Sequence, residues 1–412
     1  MQPEVAQSSE AGAGGDPAGR RERLAWMLGF GIGSLAWNVC WPFLPLQVRA
    51  VGVGDLADVA RLAGLLAGGT NLITALLGPL WSSLGERFGY RRQILRAHFG
   101  TALSMSLLGL ARTPLALVGG GAALGALGGN YPHYMALVAT RTPAAEVGRV
   151  VGDMQAAGQI GGTIGPLIGG VVAGELGLPA AFFASSLVGL SAIVVVALFV
   201  RPDAPARRGV AAAPARGSLR GAIARPEQRR LMLLLLVGDT AVQGLRPLIP
   251  VMIAARLSDP AAVAAATGLT TTLTTAGTVV AALVVGRLSR RVPPRRILMA
   301  TLPAAVVAAA LVPLPSDLPF LMAGWTLLGL SSGATVPAIF AWLGRIAPSS
   351  GGGFALLATT SMLCFAIGPI LMGQATVYGL DAPFHLAAAA TLVGALLVVV
   401  GAPRPLSAQA VG

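Results

Sequence analysis

Along the chain, apolar residues fall into blocks of about 18 to 25, separated by short segments that hold most of the charge and many of the prolines and glycines. That length is what a helix rising about 1.5 Å per residue needs to cross about 30 Å of hydrocarbon. The uninterrupted runs predict helices over 24–48, 60–81, 93–112, 115–138, 150–174, 180–200, 231–254, 262–285, 297–314, 319–341, 352–376 and 383–401. The expected fold class is therefore an all-α membrane protein of 12 transmembrane helices. The longest interruption, 201–230, is rich in Arg, Ala, Pro and Gly and predicts a cytoplasmic linker. It divides the chain into a tail (1–20), a first six-helix bundle (21–200), a second (231–403) and a closing tail (404–412). The first tail has no apolar core and reads as disordered, not as a signal peptide.

The two bundles repeat at an offset of about 204 residues. Pro42-Phe43-Leu44-Pro45 falls on Pro247-Leu248-Ile249-Pro250, and Gly64 on Gly268. Glu86-Arg87 and Arg91-Arg92 fall on Arg290-Arg291 and Arg295-Arg296, and Gly165-Pro166 on Gly368-Pro369. An even number of spans in each half gives both halves the same orientation, so an axis along the membrane normal relates them.

Composition names the solvent. Of 412 residues, 55% are hydrophobic and 11% charged, with mean hydropathy +0.75. Soluble domains are about a quarter charged, so a bilayer is indicated. The net charge of +13 does not point to nucleic acid, because the charges sit between apolar blocks and not along one face. All 29 basic residues are arginine, and 24 of them lie in segments that share one side of the membrane. Arg49, Arg61, Arg112 and Arg256 are left on the other side and Arg246 within a span. The positive-inside rule then puts both termini in the cytoplasm, in the cell (inner) membrane. Cys40 and Cys364 lie far apart inside apolar runs, which suggests neither disulfide nor metal site. The three histidines are dispersed, and no phosphate-binding glycine loop is present, so no enzyme, cofactor or internal ATP use is expected. A membrane enzyme or lipid-handling scaffold would need the clustered chemistry that is missing here.

Polar residues inside the spans are the candidate chemistry. Asp239 is the one acid well inside a predicted span, and burying it ionised costs about 2.5 to 3.5 kcal/mol on insertion scales. Gln243 and Arg246 follow at helical spacing on the same face. Asp239 and Arg246 suit proton coupling, and equally a fixed ion pair. His133, with Asn130, Tyr131 and Tyr134, offers either a proton relay or a packed imidazole. Asp153 reads as interfacial, and the threonines from Thr270 to Thr275 as bonding their own backbone.

Two stretches resemble the major facilitator superfamily. Ser82-Ser83-Leu84-Gly85-Glu86-Arg87-Phe88-Gly89-Tyr90-Arg91-Arg92 is similar to that family's loop between its second and third helices, with Ser82, Glu86 and Tyr90 as departures. The second copy, Gly286 to Arg296, has Arg290 where the acid would be. The resemblance implies a gate loop of Glu86, Arg87, Gly89, Arg91, Arg290 and Arg291. The glycines Gly152, Gly161, Gly165, Gly169 and Gly170, with Pro166, resemble the fifth-helix signature of the family's drug:proton antiporters. The alternative is a tight-packing helix and nothing more. The fourth helix lacks the arginine that many such antiporters carry, having Gly119-Gly120-Gly121 in the region. If the family arrangement holds, helices 1, 4, 7 and 10 line a substrate cavity, to which Asn38, Trp41, Asn130, Tyr131, Gln243 and Trp325 would contribute. The implied function is proton-coupled efflux of small amphiphilic or drug-like molecules by alternating access, with an uptake symporter or uniporter as the rival. The partners implied are a small-molecule substrate, protons and the lipid bilayer, with no nucleic acid, around a monomer.

Overall fold

A computed structural model describes residues 17–203, 225–314, 317–347 and 351–400, and they are helical almost throughout, with no strand among them. Residues 1–16 of the first tail, 204–224 of the linker and all of 401–412 lie outside the described residues. Twelve spans run in order: span 1 (Pro17–Cys40 and Leu44–Ala50), span 2 (Leu56–Phe88), span 3 (Tyr90–Leu110), span 4 (Pro114–Leu127 and Tyr131–Arg141), span 5 (Ala144–Leu176) and span 6 (Leu178–Phe199). The second half holds span 7 (Pro226–Leu245 and Leu248–Ala254), span 8 (Pro260–Leu288), span 9 (Pro294–Leu311), span 10 (Leu318–Ser332 and Thr335–Ile346), span 11 (Gly351–Ala375) and span 12 (Ala382–Val400).

Ten of these are long and apolar enough by themselves to cross a membrane, spans 3 and 4 being the others. Span 3 carries Arg91, Arg92 and Arg96 on its first turns, and span 4 is split into pieces of 14 and 11 residues. The continuous helices expected over 24–48, 115–138, 231–254 and 319–341 are each broken. A short 3-10 turn, Trp41–Phe43, interrupts span 1, and Gly128 to Asn130 interrupt span 4. Arg246-Pro247 interrupt span 7, and Gly333-Ala334 interrupt span 10. Pro42, Pro132, Pro247 and Pro337 lie at or just past these breaks, where a missing N–H and a fixed φ suit the first turn of a new helix. Apolar residues on both sides of each break let the pattern read as one run, even across Gly128-Gly129-Asn130 and Arg246-Pro247.

Capping residues recur at the repeat offset. Asp55 accepts from Ala57 N and Asp58 N (2.8 and 3.2 Å) at the start of span 2, as Asp259 does from Ala261 N and Ala262 N (3.3 and 3.0 Å) at the start of span 8. Thr113 and Asp317 cap spans 4 and 10 in the same way. Each cap is worth about 1 kcal/mol.

Within the first half, span 1 packs on spans 5 and 6, and span 4 on spans 2 and 3. In the second, span 7 packs on spans 11 and 12, and span 10 on spans 8 and 9. The halves meet along two seams, span 5 with span 8 and span 2 with span 11. The seams are pseudo-equivalent. A Cβ on Gly64 would lie 2.2 Å from the Pro369 carbonyl, and one on Gly268 would lie 2.4 Å from the Pro166 carbonyl. Both contacts sit toward the arginine-poor ends of the helices, where the end pieces of spans 1 and 7 also touch.

Candidate functional site

Span 7 brings the second-half candidates together. Gln243, one turn beyond Asp239, donates from Nε2 to Asp239 Oδ1 at 3.0 Å. Ser361 of span 11 donates from Oγ to Asp239 Oδ2 at 2.9 Å. Asp239 is 5% exposed and Gln243 9%. The hydrogen bonds on the carboxylate come from neutral donors, while Arg246, seven residues on, acts on it through its charge and not through a direct hydrogen bond. Arg246 occupies the break itself and is exposed while Leu245 and Leu248 beside it are sealed. Glycines set this geometry. A Cβ on Gly244 would lie 2.4 Å from Gly368 O, and one on Gly368 would lie 2.5 Å from Thr240 O, so spans 7 and 11 touch backbone to backbone.

The first half presents a smaller polar strip. Ser34 donates to Gly158 O (2.7 Å), Asn38 donates to Ser34 O (2.9 Å), and both face Gly162 at 3.6 Å from its missing Cβ. Trp37 and Trp41 lie with ring centroids 4.6 Å apart, half-buried beside them. Asn130 sits at the break of span 4, and Tyr131 just past it is 39% exposed, its hydroxyl accepting from Gln155 at 3.5 Å. Not all candidates share this setting. His133 is 2% exposed with Nε2 unpartnered, and Trp325 is 1% exposed, edge-on to Phe384 in the core between spans 10 and 12. The threonine run is mixed: Thr274 bonds Thr270 O, whereas the hydroxyls of Thr270, Thr271 and Thr272 find no partner.

Three residues that the sequence did not single out support these groups. Ser361 is one. Arg96, counted with the cytoplasmic charges, instead reaches the break of span 4, donating to Leu127 O (2.8 Å) and Gly128 O (3.4 Å) and stacking 3.7 Å from the Trp81 ring. A guanidinium there satisfies carbonyls that the break leaves without partners, so span 3 supplies a cation that span 4 lacks. The third is Asn71 of span 2. Pro369 cannot donate to the carbonyl four residues before it, Phe365 O, and Asn71 Nδ2 bonds that oxygen across the seam at 3.2 Å. Removing it with Asn71→Leu leaves the carbonyl orphaned in the closed seam. The closed form should lose about 1 to 2 kcal/mol, read as a tenfold-scale rise in accessibility of a cysteine in place of Ile370, whose side chain packs on Gly68 across the seam.

The antiporter-type helix signature divides between two partners. Gly161, Gly165 and Gly169 face span 1, where a Cβ would lie 2.4 Å from Gly31 O, 2.7 Å from Asn38 Cβ and 1.8 Å from Val39 O. Pro166 and Gly170 face span 8, and Gly152 faces open space. One helix thus builds its own half with one stripe and bears on the other half with the next.

At the arginine-rich end, Gly89 adopts φ +98°, and the Asp203 carboxylate fills the place where a Cβ would project. Asp203 accepts from Arg91 N (2.8 Å) at the start of span 3 and from Arg141 Nη2 (2.8 Å), while Arg141 also pairs with Glu22 at 2.5 Å. Glu86 and Arg87 end span 2 exposed, Arg87 lying over Phe88, and Arg290 and Arg291 are exposed at the end of span 8.

A sequence model of the Major Facilitator Superfamily matches residues 26–266 and again 231–411. The multidrug resistance protein MdtG of Enterobacter lignolyticus (strain SCF1) is 28% identical over 332 residues, covering 78% of this chain and 76% of its own length. MdtG of Yersinia enterocolitica is 29% identical over 330 residues, covering 78% and 77%. Among solved structures, a bacterial homologue of the human lysosomal transporter Spinster, inward-facing and unoccupied, superimposes with TM-score 0.70 at 15% identity over 94% of this chain and 96% of its own. The nucleoside transporter NupG does so with TM-score 0.71 at 13% identity, over 92% and 99%. With a family model spanning nearly all of its length and the fold shared with solved carriers, this chain is a multi-pass membrane transporter belonging to the Major Facilitator Superfamily.

Proposed function

We propose that this carrier exports small amphiphilic, drug-like molecules in exchange for protons, working by alternating access in the cell (inner) membrane with both termini cytoplasmic. On that orientation the halves are closed at their outer ends and the form described here faces inward. Asn38, Trp41, Asn130, Tyr131 and Arg246 contact substrate, and aromatic and amide groups suit amphiphilic ligands through stacking and hydrogen bonding. The observation that carries the coupling is Asp239. It is a buried carboxylate hydrogen-bonded by the neutral Gln243 and Ser361, two turns before a break that bears an exposed guanidinium close enough to act on it through its charge. Such a group can change charge as substrate comes and goes, because its neutral donors do not lock it in the ionised form. Likeness to multidrug resistance proteins supports export of this substrate class. Glu86 and Arg87 serve the cytoplasmic gate.

The test is antiport in proteoliposomes. A pH gradient should drive a fluorescent lipophilic cation against its own gradient, and the cation should in turn drive proton flux in the opposite direction. Proton and cation moving in the same direction would make the carrier a symporter and end the export reading. His133→Gln should leave the exchange within about twofold of wild type, since the imidazole is sealed 2% exposed among its neighbours. A His133→Gln carrier that still moves substrate but no longer moves protons would transfer the coupling role from Asp239 to His133.

A further inference from the structure

The two halves neutralise their arginine-rich ends in different ways. In the first half, Glu22, Glu146 and Asp203 pair with Arg23, Arg141 and Arg149. The corresponding ends of spans 7 to 10 carry nine arginines against a single acid, Glu227. Two of the nine turn to backbone carbonyls: Arg295 donates to Val398 O and Val399 O at the end of span 12, and Arg345 to Ser289 O and Val292 O. Arg287, Arg290 and Arg291 are exposed, and none of their guanidinium groups bonds a described residue. With Val284 and Leu288 they line an open groove of about 510 Å³. The repeat explains the excess charge. Arg290 stands where the first copy has Glu86, so the second loop holds cations in place of an internal counter-charge.

The groove continues into an apolar ridge. Val280, Val284 and Leu288 recur every four residues on one face of span 8 and are 50%, 51% and 39% exposed. Guanidinium groups at a membrane surface bind phosphate oxygens through paired N–H donors, and each basic residue there attracts anionic lipid. We propose that this groove binds an anionic phospholipid of the leaflet at the arginine-rich face, its phosphate among Arg287, Arg290 and Arg291 and an acyl chain along the ridge. The ridge selects a lipid over a free phosphate, because only the lipid covers apolar surface.

Native mass spectrometry of the full-length carrier with added phosphatidylglycerol tests this. The R287Q/R290Q/R291Q variant should bind the lipid about a hundredfold more weakly, about fivefold for each charge. R287K/R290K/R291K should stay within about fivefold of wild type, and R49Q/R112Q, at the other face, should match it. If the triple glutamine variant does not fold, Arg290→Gln alone should show the single fivefold step. Equal binding by wild type and the glutamine variants would overturn the proposal, as would equal retention of phosphatidylcholine by the wild type. Displacement by inorganic phosphate at matched concentration would also overturn it, making the groove a site for free anions.

Discussion

Asp239→Asn should reduce substrate-induced proton release at least about tenfold while the protein remains folded. The amide keeps one oxygen for Gln243 Nε2, and the Ser361 hydroxyl can turn to accept from the new NH₂, so the site stays filled and hydrogen-bonded. The stability change should stay within about 1 kcal/mol. What disappears is the only buried carboxylate that the described spans hold well away from both ends. Proton release is read with a pH indicator as substrate is added to purified, weakly buffered protein. Undiminished release with normal substrate affinity would remove Asp239 from the mechanism. Loss of substrate binding together with release would instead make it a substrate ligand.

The second large effect separates two glycines that look alike in sequence. A Cβ at Gly169 would lie 1.8 Å from Val39 O and 2.6 Å from the Phe43 ring, both within the same half. Neither backbone can retreat without unpacking span 1 from span 5, so Gly169→Ala should cost about 3 kcal/mol and sharply lower the folded yield. At Gly268 the Cβ would lie 2.4 Å from Pro166 O and 2.9 Å from Gly170 Cα, across the seam between halves. Here the halves can part. Gly268→Ala should fold and shift the carrier toward the form open at its arginine-poor side, seen as a longer distance between spin labels on the facing ends of spans 5 and 8. Unfolding of both variants alike would show the seam to be as rigid as the core of one half.

The sequence reveals the membrane, the count of spans, the repeat and the polar residues of span 7, because each is written in local pattern. Helix ends were less legible. Span 2 runs over 33 residues from Leu56 to Phe88, beyond the apolar block at 60–81, because its capped start and its last turns lie past the hydrocarbon-like run. What remained hidden depends on partners far away in the chain. The spacing of Gly161, Gly165 and Gly169 announces a smooth stripe but cannot say that it meets span 1, nor that Pro166 and Gly170 meet span 8. Asn71 and Phe365 are 294 residues apart, and only the proline at 369 gives a hint that Phe365 O needs a donor. Arg96 was misplaced for a related reason: positive-inside counting assigns arginines by sequence position, whereas this one folds inward to finish a broken helix.

The four interrupted spans carry a consequence for solvent exchange. Backbone amides in a continuous membrane helix are bonded four residues back and shielded by lipid, so they exchange with deuterium only when the helix opens. At Gly128–Asn130 and Gly333-Ala334 that ladder is interrupted near the middle of spans 4 and 10, and at Trp41–Phe43 and Arg246-Pro247 it is interrupted before the seven-residue end pieces of spans 1 and 7. A deuterium pulse should therefore label these four places ahead of the residues on either side, giving early exchange inside spans where hydropathy alone would put slow amides throughout.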